Sequence, residues 1–270
     1  VFIADSIAPI ADHCFALSDP STGDAWLGAL AYTAQLYFDF SGYSDMAIGL
    51  GMMMGFRFAE NFNQPLLCQS LTEFWRRWHL TLADFLRDYI YVPLVRSKRV
   101  SADGALFCTM LLSGFWHGAS FAYIFFGLYF AVLMVAERRL GLVTKIGGPY
   151  KWWRNLLALV FVLGVMPFFI TGDMQYALRI VPAMLGFNGI GSLEVYLLAT
   201  SQMTLAFTLV AVAWLLLAGR LNLRFYAGAQ QGYWMQHVGG LSMLALWAAF
   251  GLSLSRLAAN SFSPFLYFQF

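Results

Sequence analysis

The sequence predicts an all-α membrane protein: a multi-pass bundle of transmembrane helices accompanied by amphipathic segments at the membrane interface. Of the 270 residues, 60% are hydrophobic and only 11% are charged, whereas a soluble domain carries about 25% charged residues. A water-soluble protein of this size still needs a largely polar surface. Because this chain has few polar residues, lipid is expected to cover much of it. Long stretches without a charged residue support the same interpretation.

These stretches define the predicted spans, because a membrane helix needs about 20 mainly apolar residues. Residues 25–56 contain no Lys or Arg, and Asp39 and Asp45 are their only charges. Since this stretch is too long for one span, we expect two helices with a break at Ser41–Gly42. The other predicted spans are 104–136, 152–170, 193–218 and 238–258, with an interfacial segment at 175–185. The chain begins with Val1, and we expect it to be a fragment whose missing N-terminal part supplies further helices.

Residues 57–99 differ in character, with seven basic and four acidic residues. Within them Phe74, Trp78, Leu82 and Tyr89 fall at helical spacing, which predicts an amphipathic helix lying in the interface. The positive-inside rule favours the cytoplasmic side for 57–99 and for the basic stretch 138–154. Residues 104–136 would then cross twice or re-enter. If residues 104–136 cross only once, one of these two basic segments lies on the side opposite the cytoplasm. The positive-inside rule leaves both arrangements open.

The composition excludes several functional classes. A net charge of +2 does not indicate a nucleic-acid partner. Cys14, Cys68 and Cys108 have no spacing typical of a disulfide framework or a zinc site. We therefore predict free thiols and no metal site.

His117 is the candidate for chemistry. It lies 18 residues after Arg99, roughly 27 Å along a helix at about 1.5 Å per residue. An ionisable group so deep in the hydrocarbon is a functional hypothesis by default, and a low dielectric favours the neutral imidazole that a general base needs. The alternative is a buried histidine that hydrogen-bonds between helices. Gly114 and Gly118 beside it allow close approach of a substrate or a backbone.

Three other ionisable residues leave alternatives open. His79 stands beside two arginines and is either a solvated polar residue or part of a site. Asp39 and Asp45 are six residues apart, so they do not share a helix face. One alternative is that they line a cavity where the chain is unwound. A second is a structural role, in which they cap the second predicted helix or pair with an arginine of 57–99, and a third is a part in catalysis.

Five segments, in order and spacing, resemble the membrane-bound O-acyltransferase family, in its alginate O-acetyltransferase branch. They are residues 35–47 (QLYFDFSGYSDMA), 60–65 (ENFNQP), 72–79 (TEFWRRWH), 86–94 (LRDYIYVPL) and 114–119 (GFWHGA). The similarity is close over about 30–130 and weaker to the end.

The resemblance implies a bundle of membrane helices around a central funnel. Residues 1–270 would form the C-terminal part of one membrane domain, with a catalytic core at 25–136 and additional helices at 152–258. It also implies a donor such as acetyl-CoA or another acetyl thioester, with no bound cofactor, and an exopolysaccharide acceptor. A periplasmic partner of the SGNH hydrolase-like type, a polysaccharide synthesis complex and a bacterial inner-membrane location follow by the same resemblance.

The resemblance places the invariant histidine of the family on His117 and a second histidine on His79. His117 would remove the proton from the incoming nucleophile, and Trp116 or Tyr43 would donate to the oxyanion. The residues expected to line the funnel are Trp116, Tyr43, Asp39, Asn61, Glu73, Trp75, Arg76 and Arg77. Arg76 and Arg77 at a cytoplasmic mouth would attract coenzyme A phosphates, or they would simply reach lipid headgroups.

Two features depart from the branch pattern. Pro93-Leu94 runs into Val95-Arg96 where a Gly-Gly-Asn-Arg-like turn is usual, and Ser113 replaces one of two glycines. The first change means that the loop after Pro93-Leu94, which would face the acetyl donor, need not have the conformation usual in this branch. The competing hypotheses are D-alanyl transfer to teichoic acid, a transporter that uses Asp39, Asp45 and His117, and an inactive scaffold. Residues 37–45 and 73–79 favour the polysaccharide branch.

Overall fold

A computed structural model describes residues 2–191 and residue 251, and this part of the chain is helical. The helices are α1 (Phe2–Ala16), α2 (Thr22–Met53), α3 (Leu71–Trp75), α4 (Leu80–Leu86), α5 (Val92–Arg96), α6 (Ala102–His117), α7 (Phe121–Arg139), α8 (Trp152–Thr171) and α9 (Met174–Met184). The predicted helical class is confirmed for these residues. The predicted spans at 193–218 and 238–258 lie outside them.

Helix α2 is a single helix of 32 residues, so the predicted break at Ser41–Gly42 is wrong. A capping box between Ser21 and Asp24 starts it. One internal glycine costs only about 1 kcal/mol relative to alanine, which is too little to interrupt a helix of this length. The expected unwound cavity at Asp39 and Asp45 is therefore absent, because both lie on an unbroken helix.

Helices α6 and α7 form a tight hairpin through residues 118–120. Gly114 and Gly127 make the crossing possible, since a Cβ atom on Gly114 would lie 2.8 Å from the Cα atom of Gly127. The chain thus runs out along α6 and back along α7, as in the double-crossing or re-entrant alternative. His117, the last residue of α6, lies at the tip of the hairpin.

Parts of both basic segments lie at the open end of this hairpin. The Nε atom of Arg139 is 2.8 Å from a carboxylate oxygen of Asp103, at the start of α6. The guanidinium of Arg138 donates to the hydroxyl of Tyr91 at 3.2 Å. The end of the first basic segment and the start of the second are therefore held together at this end of the bundle.

The single amphipathic helix predicted within 57–99 is wrong. The chain leaves α3 after Trp75 and starts α4 at Leu80. Phe74 is buried, whereas Tyr89 is exposed. The regular spacing spans two separate helices with different surroundings. Periodicity alone could not show this, because it does not reveal whether consecutive turns belong to one continuous helix.

Helix α3 descends along α7 from the basic end toward the hairpin tip. The backbone N–H of Leu71 donates to the carboxylate of Glu137 at 2.8 Å. Three residues later, Phe74 stacks on Phe130 with ring centroids 6.2 Å apart. The chain then returns through α4, a π-helical turn (Arg87–Tyr91) and α5. This descent brings residues 76–79 close to the end of α6.

Helices α7 and α8 have the length and apolar composition to cross a membrane, within the part of the chain that the structure describes. Helix α8 coincides with the span predicted at 152–170, and α9 occupies the predicted segment 175–185. The loop between α7 and α8 contacts residues 66–73, because the Thr144 hydroxyl lies 2.9 Å from that of Ser70. At the start of α8, the Asn155 amide donates to the carbonyls of Leu66 and Cys68. Cys14, Cys68 and Cys108 are free thiols, as predicted.

Candidate active site

His79 is held in place by backbone hydrogen bonds on both sides of it. The N–H of Leu80 donates to the Asn61 carbonyl, and the N–H of Asn63 donates to the Arg77 carbonyl, both at 2.9 Å. Between these bonds His79 adopts a left-handed conformation with φ of 49°. Such a conformation is uncommon for a residue other than glycine, so the surrounding contacts must hold it.

The side chain of Asn61 sets the tautomer of His79. The Oδ1 atom of Asn61 accepts from the N–H and the hydroxyl of Thr81, at 3.3 and 3.0 Å, and its Nδ2 donates to Ser44 at 3.2 Å. The same Oδ1 lies 3.0 Å from Nδ1 of His79. Because an amide oxygen only accepts, Nδ1 carries the proton and Nε2 carries the lone pair. Burial lowers the pKa of His79 to about 4, which favours this neutral form.

A cavity of about 350 Å³ opens beside His79, within the size range of small-molecule sites. Its lining combines predicted and unpredicted residues: Phe40, Tyr43, Ser44, Asn61, His79, Thr81 and Trp116. The fold thus brings together four of the residues expected to form the site. Tyr43 and Trp116 are partly open to this space, with 37% and 50% of their surface exposed.

Trp116 stands between the two imidazoles. Its ring centroid is 5.8 Å from that of His79 and 4.8 Å from that of His117. Both histidines therefore contact one indole, although they lie 38 positions apart in the sequence. This arrangement brings the two predicted histidines close together in the fold.

Aromatic rings hold the imidazole of His117. Phe169, Phe126 and Tyr123 have ring centroids 4.8, 5.8 and 6.3 Å from it. Gly118 makes room for Tyr123, since a Cβ atom there would lie 2.7 Å from that ring. Among the described residues, none hydrogen-bonds to the ring nitrogens, so the interhelical hydrogen bond weighed as an alternative is not observed there.

His117 also lines a second, much smaller cavity of about 20 Å³. Its walls come from four helices, with Leu36 on α2, Trp75 on α3, Phe126 on α7 and Met166 on α8. The walls are mainly apolar. His117 thus borders a void within the protein.

Glu73 and Arg77 lie apart from these cavities and bind each other. The Glu73 carboxylate accepts from Nη2 and Nε of Arg77 at 2.7 and 2.9 Å, and both residues are buried. Arg77 also donates to the carbonyl of Asn63 at 3.0 Å. Its predicted position at a charged mouth is therefore corrected: the guanidinium is used inside the fold. Arg76 is exposed, and Asp39 is buried on α2.

Sequence reasoning missed several residues of the site. Thr81 and Ser44 hold Asn61, and their proximity to the histidine motif and to residues 35–47 was an available signal. Phe169 and Met166 come from α8, beyond the predicted core of 25–136. No local pattern connects them with His117, because their contact depends on how α8 packs on the hairpin.

Residues 24–171 match the family model for MBOAT, the membrane-bound O-acyltransferase family. This chain belongs to the membrane-bound O-acyltransferase family. The matched region contains both histidines, both cavities and the two helices able to span a membrane. The chain is accordingly part of a membrane protein.

Curated members of the membrane-bound O-acyltransferase family align with the whole chain. It is 44% identical to the probable alginate O-acetylase AlgI of Azotobacter vinelandii and 46% identical to that of Pseudomonas putida, covering 59% and 58% of those proteins. The chain thus spans about three fifths of the length of these relatives. A teichoic acid D-alanyltransferase of Bacillus subtilis is 34% identical over 48% of this chain and 35% of its own length.

Proposed function

We propose that the protein is a membrane O-acetyltransferase that passes an acetyl group from a thioester toward a secreted, alginate-like exopolysaccharide. The observation that carries this proposal is His117 at the edge of a small apolar cavity, with His79 across Trp116. Relatives that align with the entire chain are named as probable alginate O-acetylases, which supports the same chemistry.

In the proposed reaction His117 acts as a general base. It takes the proton from an acceptor hydroxyl, whose oxygen attacks the carbonyl carbon of the acetyl thioester. The carbon–sulfur bond then breaks, the acetyl ester remains on the acceptor, and the thiolate receives the proton from His117. No hydrogen bond from a described residue opposes this use of the ring nitrogens. His79, with its lone pair on Nε2, would accept a proton or orient a hydroxyl in the larger cavity.

The donor, the partner and the location belong to the same proposal. The donor is acetyl-CoA or another acetyl thioester, and a periplasmic SGNH hydrolase-like partner completes delivery to the polymer. The protein would cross the bacterial inner membrane several times, with helices around a central funnel. The contacts of Arg138 and Arg139 with Tyr91 and Asp103 gather basic residues at the open end of the hairpin, which supports a cytoplasmic position for that end. Arg76 is exposed and would be available to a phosphate group.

The test is polymer acetylation by the full-length protein in cells that contain its polysaccharide machinery. We expect His117→Ala to abolish acetyl esters on the polymer while the protein still accumulates in the membrane. We expect His79→Ala to lower acetylation strongly. His13→Ala is the matched control, since His13 is exposed on α1 far along the chain from the site, and it should leave acetylation unchanged.

The same assay separates the competing functions. D-alanyl esters on the polymer, without acetyl esters, would overturn the proposal in favour of the related teichoic acid reaction. Full function of His117→Ala would indicate a scaffold. Movement of a substrate across vesicles without any consumption of acetyl-CoA would indicate a transporter.

A further inference from the structure

The small cavity beside His117 has the features of a binding site for one particular group. We propose that it is the acetyl subsite: its apolar walls hold the methyl group, and the indole N–H of Trp75 donates to the carbonyl oxygen. This inference rests on the proposed function and names the groups that select the acyl chain.

The size of the cavity matches an acetyl methyl. About 20 Å³ is room for a single water-sized group, and a methyl group is close to that size. Leu36, Met166 and Phe126 bring walls from three different helices, and close-packed interiors yield little to an added methylene. A propionyl or longer chain would therefore meet these walls.

Trp75 supplies a donor that the protein itself does not use. Only 8% of its surface is exposed, and its Nε1 atom is buried with no hydrogen-bond partner among the described residues. The ring is held edge-to-face against Phe126 and Phe130, at centroid distances of 6.3 and 5.2 Å. A buried N–H without an acceptor is unfavourable, so a ligand oxygen would relieve a cost already present.

Trp78 also lines the cavity but is only partly buried, and Thr33 is less suited to this task. The hydroxyl of Thr33 already donates its hydrogen to the carbonyl of Ala29 at 2.7 Å, whereas an indole N–H can only donate. As the acceptor oxygen attacks, the carbonyl oxygen becomes negatively charged, and the hydrogen bond from Trp75 strengthens. This is the property expected of an oxyanion donor.

The charge of the cavity also distinguishes acetyl from D-alanyl. The residues that line it include no carboxylate, and an ammonium group buried without a partner is strongly unfavourable. A D-alanyl group carries such an ammonium on the carbon next to its carbonyl carbon. The subsite therefore favours an uncharged two-carbon acyl group.

The first experiment removes the donor while keeping an aromatic ring. With membranes containing the full-length protein, radiolabelled acetyl-CoA and the polymer acceptor, we expect Trp75→Phe to lower kcat about 100-fold, the effect of losing one oxyanion donor, with little change in KM. The matched control is Trp26→Phe, whose indole N–H donates to the carbonyl of Met184 at 2.9 Å. Equal rates in the two variants would overturn the role of Trp75.

The second experiment enlarges the cavity and measures acyl selectivity. We expect Met166→Ala to raise the ratio of propionyl to acetyl transfer by about tenfold or more, the effect of one methylene in an apolar pocket. Met134→Ala, at an equally buried position outside the cavity, should leave the ratio unchanged. Leu36→Ala provides a second enlargement should Met166→Ala fail to accumulate.

The outcomes separate the two proposals. Acetyl transfer by the wild type, with unchanged selectivity in both enlarged variants, overturns the subsite and leaves the proposed function standing. Absence of acetyl transfer by the wild type with every donor and acceptor overturns the proposed function itself.

Discussion

Asn61 and His79 are hydrogen-bonded at 3.0 Å through Oδ1 and Nδ1, although 18 positions separate them in the chain. Asn61 lies in the irregular segment before α3, and His79 in the turn between α3 and α4. Their contact fixes both the position and the tautomer of one of the two imidazoles at the site. Several expectations follow from the contacts around this pair.

Replacing Asn61 with alanine should lower acetyl transfer about tenfold, because the bond that keeps the proton on Nδ1 of His79 is lost. One net hydrogen bond contributes roughly 1 kcal/mol, and about 1.4 kcal/mol corresponds to a factor of ten in rate. The measurement is kcat for polymer acetylation in membranes. Asn188→Ala is the control, since Asn188 pairs with Asp19 away from both cavities. A wild-type rate in Asn61→Ala would show that the tautomer does not matter.

The buried imidazole of His79 should make the fold less stable as the pH falls. Its pKa is lowered from 6.5 to about 4 by burial, so between these values the unfolded chain binds a proton that the folded chain does not. The stability is unaffected by this group above pH 6.5 and decreases as the pH falls from 6.5 toward 4. Thermal unfolding in detergent at pH 7.5 and 5 tests this. His79→Gln should show a smaller loss than the wild type, and an equal loss would contradict the assignment.

A methyl group at Gly114 should displace α6 from α7 and move His117. The added Cβ atom would meet the Tyr123 carbonyl and the Gly127 backbone, and backbone atoms cannot turn aside as a flexible side chain does. We expect Gly114→Ala to lower the free energy of unfolding by about 1–3 kcal/mol and to reduce acetylation. Gly42→Ala is the matched control on α2, where a Cβ atom meets nothing within 4 Å; helix propensity predicts a neutral or slightly stabilising effect.

Breaking the buried ion pair of Glu73 and Arg77 should be more damaging than breaking an exposed pair. Removing one partner of a buried pair leaves an uncompensated charge, which costs about 3–5 kcal/mol. The side chains of Asp84 and Arg87 are also 2.6 Å apart, but more than half of each is exposed, so Asp84→Ala should cost less than about 1 kcal/mol. Thermal unfolding of Glu73→Ala and Asp84→Ala would check the difference. Similar losses in both variants would contradict it.

Part of the site was predictable from short stretches of sequence. His117 stood out because a long apolar segment contains one ionisable group, and such a group requires a special environment. His79, Asn61 and Trp116 followed from motifs of a recognised family. Helix α8 was also predicted, since its apolar length alone identifies it.

Other parts were not predictable. The break between Trp75 and Leu80 was hidden, because aromatic residues on two short helices imitate the spacing of one long helix. The opposite error occurred at Ser41–Gly42, where small polar residues suggested a break that the hydrogen bonds of a long helix easily tolerate. Arg77 resembled a surface cation until its pairing with Glu73 was visible.

The sequence by itself determined that this protein is helical and bound to a membrane, because composition and charge-free length fix the solvent that each segment prefers. Only the tertiary structure decided that the chain turns back after His117, that α3 brings His79 against Trp116, and that α8 contributes walls to the small cavity beside His117. The physical reason is that periodicity reports which face of a helix is apolar. Which neighbour covers that face depends on contacts between residues far apart in the chain.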